Sequence, residues 1–384
     1  MTRTHRVDSS NTIRPIDLAQ ARDALAEGTG RVMLSGAGTA SDWAGHTERP
    51  ELVLDTTGLT GVLAHNPSDM TVQVLAGTPL RELNETLAEH GQRVALDAAR
   101  VAAGATVGGL IATADSGPGA LRYGSSRDLV IGATLVLADG TVARTGGHVI
   151  KNVAGYDLTK LVHGSHGTLA LVTEVVLRLH PVPGARATVR LPCTLPEGYS
   201  AAASVLASPL EPVALEWFEQ ALSVELEGDP ATLDGRVRRL GELLAEHGTA
   251  TRLPEADARE HWARHAELVS RPPERMAMLR LGARPSRLVA LLTELTDTLG
   301  GRRVAAGLAT GIATVALPAD AAAVAAAHRR AHQVGATSML RARPPGANIP
   351  ALGAAPSALG VLRAVKTELD PHNRLGAGRF TPWL

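Results

Sequence analysis

The chain has a single cysteine, Cys193, in 384 residues. One thiol closes no internal disulfide and builds no thiolate metal cluster, which fits a reducing compartment. The sequence also lacks an excess of either charge. Lys and Arg number 38, as do Asp and Glu, so the broad field that nucleic-acid or acidic-membrane binding draws on is missing. No run approaches the roughly 20 uncharged apolar residues that span a bilayer. The alanine-rich stretch at 319–327 is broken by Asp320 and runs into His328-Arg329-Arg330. The opening residues, MTRTHRVDSSNTIRP, have no apolar segment of the kind that marks a secretory signal. A cytoplasmic protein is expected, one that reaches the inner face of a membrane only through partners. A serine nucleophile elbow, a P-loop, a paired-carboxylate motif and H-E-x-x-H are all absent.

What is present is globular: 45% hydrophobic and 20% charged residues in a length that suits two domains. The first half reads as short strands between glycine-rich loops. RVMLS (31–35), ELVLD (51–55) and VQVLAG (72–77) are apolar or β-branched runs bounded by turn formers. In TPLRELNETLAEHG, Thr78 is the expected N-cap, Pro79 the first helical residue and Gly91 the stop, with Leu80, Leu83 and Leu87 on one face. LVIGATLVLADGTVART folds back at Asp139-Gly140 as a hairpin. TLALVTEVVLRLHPVP (168–183) is a long strand, and its Pro-x-Pro ending marks a domain boundary.

The second half changes character. ALEWF and LSVELEG are strands, with helices near 229–247 and 255–269. RMAMLRLGA, a helix from Pro285 to about Leu299, RVAAG, IATVALP, a helix at 319–334 and TSMLRA follow. That order is β-α-β-β-α-β, the ferredoxin-like arrangement. A last helix in PSALGVLRAVKTELDPHNRLGAGRF is ended by Pro371. His261, His265, His328 and His332 recur at i, i+4 and read as solvated helix faces.

Four glycine-dense loops stand out. SGAGTAS (35–41) follows a strand, yet Ser41 occupies the third glycine of a G-x-G-x-x-G fingerprint and DWAGHTERP does not continue as an amphipathic helix. It can still wrap an anion with backbone N–H groups. GATVGGLIATADSGPG (104–119) carries Gly108-Gly109 inside a helical pattern, where each glycine costs up to about 1 kcal/mol relative to alanine. That pair implies close approach either to a flat or charged ligand or to a neighbouring strand. LRYGSSRDLVIG (121–132) places Arg122, Tyr123 and Arg127 in a turn. GGHVIKNVAGYDLTKLVHGSHGTL (146–169) adds a loop and a short helix from Asp157 to Val162. Its histidines, His148, His163 and His166, lack metal-ligand spacing, so no metal is expected. Together the loops describe a large ligand cradled mainly by backbone.

In combination, GTPLRELNETLAEHGQ, GATVGGLIAT, SGP, RYGSSRDLVIGATLVLADGTV, KNVAGYDLTKLVHGSHGTLALVTEVVLRLHP and VKTELDPHNRLGAGRF resemble the FAD-binding domain of the vanillyl-alcohol-oxidase (PCMH-type) flavoproteins. Within that family the 146–169 stretch is most similar to the FAD-binding E subunits of bacterial glycolate oxidases. The resemblance covers roughly residues 12–185 and 356–380.

It implies an α+β fold: a two-part FAD-binding domain (1–185), a ferredoxin-like α/β cap over the flavin (186–344) and a C-terminal segment (345–384) returning to the FAD domain. Gly36, Ala37, Gly38 and Thr39 would contact the pyrophosphate. Gly104, Thr106, Gly108, Gly109, Ser116, Gly117, Arg122, Tyr123 and Gly124 would add diphosphate and flavin contacts. Gly164, Gly167, Thr168, Leu169 and Val172 would lie along the cofactor, with Lys151 and Asn152 near the isoalloxazine edge.

The first loop has no histidine for covalent attachment, so the FAD is expected to be non-covalent. The cap lacks the H-x-G-D-G-N motif of related 2-hydroxy-acid dehydrogenases, and no catalytic residue is assigned. The implied function is the FAD-binding subunit of a glycolate oxidase or dehydrogenase, oxidising glycolate to glyoxylate and passing electrons on. The implied partners are a second flavin subunit and an iron–sulfur subunit, whose cluster one cysteine could not hold. The same residues leave open a stand-alone FAD-linked oxidase or dehydrogenase of another alcohol or 2-hydroxy acid, and a non-catalytic flavin-binding scaffold.

Overall fold

The computed structural model of the protein describes residues 12–148 and 155–384. Apolar residues at every second position commit VQVLAG and TLALVTEVVLRL to strands. These lie side by side as Thr71–Leu75 and Leu171–Arg178, antiparallel, with Val74 opposite Val175. Among the described residues they belong to a five-stranded sheet ordered Val62–Asn66, Thr71–Leu75, Leu171–Arg178, Val130–Val136, Val142–Gly146. The last two strands form the hairpin expected at Asp139-Gly140, where Gly140 takes φ +85°.

Helices Leu80–Ala88 and Val107–Ala112 bury Leu80, Leu83, Leu87 and Leu110 against Val74 and Val175 of this sheet. A fully buried leucine is worth about 1.5–3 kcal/mol, so these four supply much of the adhesion. Thr78 does not cap the first of these helices. Pro79 is the N-cap, and the Thr78 hydroxyl instead accepts the Gly61 N–H at 2.9 Å.

A smaller parallel sheet, ordered Thr12–Ile13, Leu52–Asp55, Val32–Ser35, packs alongside through Leu25, Leu54, Val136 and Leu375. Its third strand runs straight into the 36–41 loop. The C-terminal segment is stitched to the same region. After helix Leu359–Leu369, the buried Lys366 ammonium donates to Asp370 Oδ2 (2.5 Å) and to the carbonyls of Thr168 (2.8 Å) and Leu375 (3.0 Å). Arg374 donates to the carbonyls of Leu25 (3.0 Å) and Gly30 (3.1 Å).

From Ala185 onward the chain builds an eight-stranded antiparallel sheet with two β-α-β-β-α-β units in it, where the sequence shows one. Segments Ala185–Pro192 and Leu195–Leu206, which carry no clear periodic signal, complete the first unit. Its strands are ordered Thr251–Arg252, Ala185–Pro192, Ala221–Gly228, Ala214–Phe218. The second unit continues as Arg302–Gly307, Ile312–Pro318, Met276–Gly282, Thr337–Ala342.

Both units follow the ferredoxin-like strand order. They join where Phe218 pairs with Ala305 and Trp217 with Ala306. Helices Leu195–Leu206, Pro230–Leu244, Pro285–Leu299 and Ala321–Gln333 cover one face, on a core that includes Leu215, Leu222, Leu279, Leu281 and Val315. A fifth helix, Glu255–Ser270, lies on the opposite face, with Leu268 against Phe218 and Ala305. No described helix is long and apolar enough to cross a membrane.

Candidate functional site

The end of strand Val32–Ser35 opens into a cleft lined by Gly36, Ala37, Gly38 and Thr39, by Thr106, Gly108 and Gly109, and by His166, Gly167, Val172 and Arg379. Three loops far apart in sequence converge here because their strands are neighbours or lie one sheet apart. Gly38 takes φ +71°, and a β-carbon there would project into open space. Gly36 is pressed on Thr106, whose Oγ1 would lie 2.8 Å from an added Cβ.

The Gly108-Gly109 pair divides its work. Gly108 serves close packing: its N–H donates to the Ala76 carbonyl at 2.7 Å, and a Cβ would come within 3.0 Å of that strand. Gly109 donates to the Thr106 hydroxyl at 3.2 Å. Both line the cleft.

Ser116 and Gly117 line a second, larger cavity of about 1220 Å³ between the loops, the eight-stranded sheet and the helix Glu255–Ser270 that lies on this face. The remaining sequence-expected residues sit elsewhere. Gly104 closes a 3-10 turn at φ +84°. Gly164 takes φ +77° and donates to the Ile111 carbonyl. Thr168 and Leu169 are buried, the Thr168 hydroxyl donating to the Ser165 carbonyl at 2.7 Å.

Arg122, Tyr123 and Gly124 are not brought to the cleft. The short helix Ala120–Tyr123 turns them toward the cap, where Tyr123 Oη donates to Glu227 Oε2 at 2.5 Å and Arg122 pairs with Glu211 at 3.0 Å. Gly124 packs on Asp128, which caps the next turn with Ser125. Lys151 and Asn152 lie outside the described residues.

Sequence reasoning missed the charged cluster where cleft and cavity meet. Asp115 is buried between two arginines, with Arg100 Nε 2.9 Å from one carboxylate oxygen and Arg341 Nη1 2.9 Å from the other. Arg100 also donates to the hydroxyls of Thr39 (2.8 Å) and Thr113 (2.7 Å), and Arg280 donates to the Ala114 carbonyl (3.0 Å). The Arg341 and Arg100 guanidiniums lie 3.6 and 4.2 Å from the Trp43 ring centroid.

Burial raises the Asp115 carboxyl, but Arg341, Arg100 and Arg280 outweigh it and hold the group below its usual range. Arg341 is pushed down to about 9, by burial first. Its Nε and Nη2 are buried with no partner among the described residues. Three guanidiniums thus face one carboxylate, and an anion would complete the set.

The cleft carries the same sign. Burial, then Arg379, Arg341, Arg100 and Arg280, push His166 down to about 3, so its imidazole is neutral at pH 7. A cleft with an open glycine at Gly38, several hydroxyls and surplus guanidinium charge fits a dianionic diphosphate. The only local signal for Arg280 and Arg341 was a charge set inside an otherwise apolar strand.

The far wall of the cavity mixes carboxylates with Arg186, Arg252 and Arg259. Glu216 and Glu225 project from the first cap unit, and Asp97 accepts the Gly119 N–H at 2.8 Å. Burial raises Asp97, and it lifts Glu225 to about 7 with help from Glu227 and Asp97. His265 stands here with its Nε2 3.3 Å from Glu216 Oε2. The histidine spacing is therefore not a solvated face. His261, His265 and His328 are buried, since one of their helices packs on the cavity side of the sheet and the other on its opposite side; only His332 is exposed. His261 accepts or donates at Ser223 Oγ (2.7 Å), and burial lowers it to about 4.

Comparison with known proteins matches this architecture. Residues 13–146 match the FAD binding domain family model. The chain is 35% identical over 191 residues to glycolate oxidase subunit GlcE of Escherichia coli (strain K12), covering 50% of this chain and 53% of that protein. It is 37% identical over 191 residues to the mitochondrial D-lactate dehydrogenase [cytochrome] of Arabidopsis thaliana, covering 49% of this chain and 33% of that one. The chain thus spans about half or less of the length of these relatives. An alkyldihydroxyacetonephosphate synthase structure shares the fold, with a TM-score of 0.70 at 16% identity over 95% of this chain and 75% of its own. Gly36 to Thr39, Thr106, Gly108 and Gly109 of the cleft lie within the matched stretch, so over residues 13–146 the chain carries an FAD-binding domain, while His166, Gly167, Val172 and Arg379 complete the cleft from beyond it.

Proposed function

We propose that the protein is an FAD-dependent oxidoreductase acting on the CH–OH group of a 2-hydroxy acid, as the FAD-binding subunit of a glycolate oxidase or dehydrogenase. The observation that carries this reading is the unpartnered Nε and Nη2 of the buried Arg341, beside Arg280 on the cavity wall next to the cleft. Two guanidiniums on one cavity wall suit a carboxylate, because each bond to it is charge-assisted. The names of the relatives, a glycolate oxidase subunit and a D-lactate dehydrogenase, support the same substrate class.

Gly36 to Thr39, Thr106, Gly109 and Gly167 would hold the FAD diphosphate non-covalently, with Ser116 and Gly117 toward the flavin. Bound there, the flavin supplies hydride acceptance and onward electron transfer. The chain's own residues do the rest. Asp115 keeps Arg100 and Arg341 in place, Arg341 and Arg280 orient the carboxylate, and the eight-stranded sheet roofs the cavity against water. Electrons would leave to partners, a second flavin subunit and an iron–sulfur subunit in this reading.

The D-lactate dehydrogenase among the relatives favours, as a second reading, a 2-hydroxy acid other than glycolate. Anaerobic addition of glycolate, D-lactate and longer 2-hydroxy acids to the purified chain, then to the chain with its co-purifying subunits, tests both. Bleaching of the visible flavin absorbance by one of these acids is expected. A flavin that none of them bleaches in either form sinks the oxidoreductase reading and leaves a scaffold.

A further inference from the structure

The oxidation takes a hydride from the carbinol carbon, which goes to the flavin, and a proton from the hydroxyl, for which the protein must offer a base. The C–O single bond becomes C=O and a 2-oxo acid is left. We propose that His265 accepts the hydroxyl proton and that Glu216 holds its ring in place; this rests on the reading of the cavity as a hydroxy-acid site.

The described residues lining the cavity include no lysine, tyrosine or cysteine and one histidine, His265. Of the five described carboxylates lining the cavity, Asp115 is engaged by two arginines, Asp97 by the Gly119 N–H, Glu255 by Arg259 and Glu216 by His265 itself, which leaves Glu225 as the competing base. His265 is only 5% exposed, and Glu216 Oε2 stands 3.3 Å from its Nε2, which makes Nδ1 the nitrogen that would accept the proton. A carboxylate beside one ring nitrogen fixes the tautomer and strengthens the other nitrogen as a base. Phe218 and Trp262 pack the ring at 4.8 and 5.7 Å between centroids, so it has little freedom to turn away.

The two chemical ends line one cavity, Arg341 and Arg280 on one side and His265 on the other. Asp115, Ser116 and Gly117 are consecutive. Asp115 takes the arginines, whereas Gly117 is pressed against Asp97, whose carbonyl would lie 2.3 Å from an added Cβ. Asp97 in turn is within electrostatic reach of Glu216 and His265. In this proposal an acid anchored on Arg341 turns its hydroxyl across the 115–117 loop toward His265, which lines the same cavity. Around the imidazole the charged groups are Glu216 on the sheet and Asp97 on the facing loop.

The test uses whichever form of the protein, full chain or native complex, a 2-hydroxy acid reduces. His265→Asn and His265→Gln should keep their flavin and bind oxalate within about threefold of wild type, yet lose at least about 100-fold in the rate of flavin reduction. Oxalate, whose second carboxylate sits where the hydroxyl would, should bind with uptake of a proton in wild type and with none in either variant, read from calorimetry in buffers of different ionisation heat. Glu216→Gln should lose about tenfold in rate.

His265 variants reduced within about threefold of wild type, or taking up the same proton, overturn the proposal while leaving the hydroxy-acid reading intact. Should both His265 variants fail to fold, an unchanged rate in Glu216→Gln overturns it instead. A flavin-loaded wild type that no 2-hydroxy acid reduces in any form overturns both.

Discussion

The two units of the cap share one topology and differ in chemistry. Toward their helices both are apolar: Leu215, Leu222 and Val224 in the first, Leu279, Leu281 and Val315 in the second. Toward the loops they diverge. The first unit presents Glu216 and Glu225 with Arg186 and Arg252 among them, the second Arg280 and Arg341 with no carboxylate, and Ala305 and Thr314 lie between. Period-2 alternation lets one face of a strand hold the fold while the other is free to vary. The two units thus give a cavity with a purely basic end and a mixed end that holds most of its carboxylates.

The largest expected effect lies in the cleft below both units. Gly167 takes φ +73°, and a Cβ there would contact Leu34 at 3.4 Å. Gly167→Val should abolish flavin retention while the thermal transition of the cap is unchanged; a full flavin complement in this variant would remove 164–169 from the site. Next comes the basic end. Arg280→Met should raise the KM for the hydroxy acid about 10- to 100-fold with flavin content intact, the range expected for one charged hydrogen bond. An unchanged KM would hand the carboxylate to Arg341 alone.

At the mixed end the effect is smaller and depends on pH. Burial first, then Glu227 and Asp97, raise Glu225 from 4.5 to about 7, against Arg186 and Arg93. A carboxyl with a raised folded pKa binds its proton more tightly in the native state. Its stabilising contribution is therefore full below about pH 4.5, falls as pH rises to about 7, and stays lost above that. Denaturant titrations should show this loss, at most about 3 kcal/mol, and Glu225→Gln should flatten it. An equal slope in the variant would place the titration elsewhere.

How far the sequence reached follows the same division. Elements with a strong local signal were legible: the Asp139-Gly140 hairpin, the Leu80/Leu83/Leu87 face, the second cap unit and the glycine loops at 36–39 and 108–109. Residues 185–206 were not, because GYSAAASVL is too small-sided to show a stripe, and so the duplication stayed hidden. Thr78 was misjudged as a cap because its hydroxyl has a tertiary partner in Gly61. Arg122 and Tyr123 sat in a motif but turn the other way, a choice made by Glu211 and Glu227 about 90 to 100 residues later. The Asp115 cluster joins three segments that no local pattern links, and His265 was set aside because helical spacing cannot tell a buried face from a wet one.

The central claim is that anion recognition belongs to the second unit. Titrating oxalate into the flavin-loaded protein and following the flavin spectrum addresses it directly. Wild type and Arg190→Met, which alters a first-unit arginine outside the cavity, should bind alike, and Arg341→Met should bind at least about 30-fold more weakly, the cost of a lost charged hydrogen bond. Equal affinity in all three proteins would contradict the account.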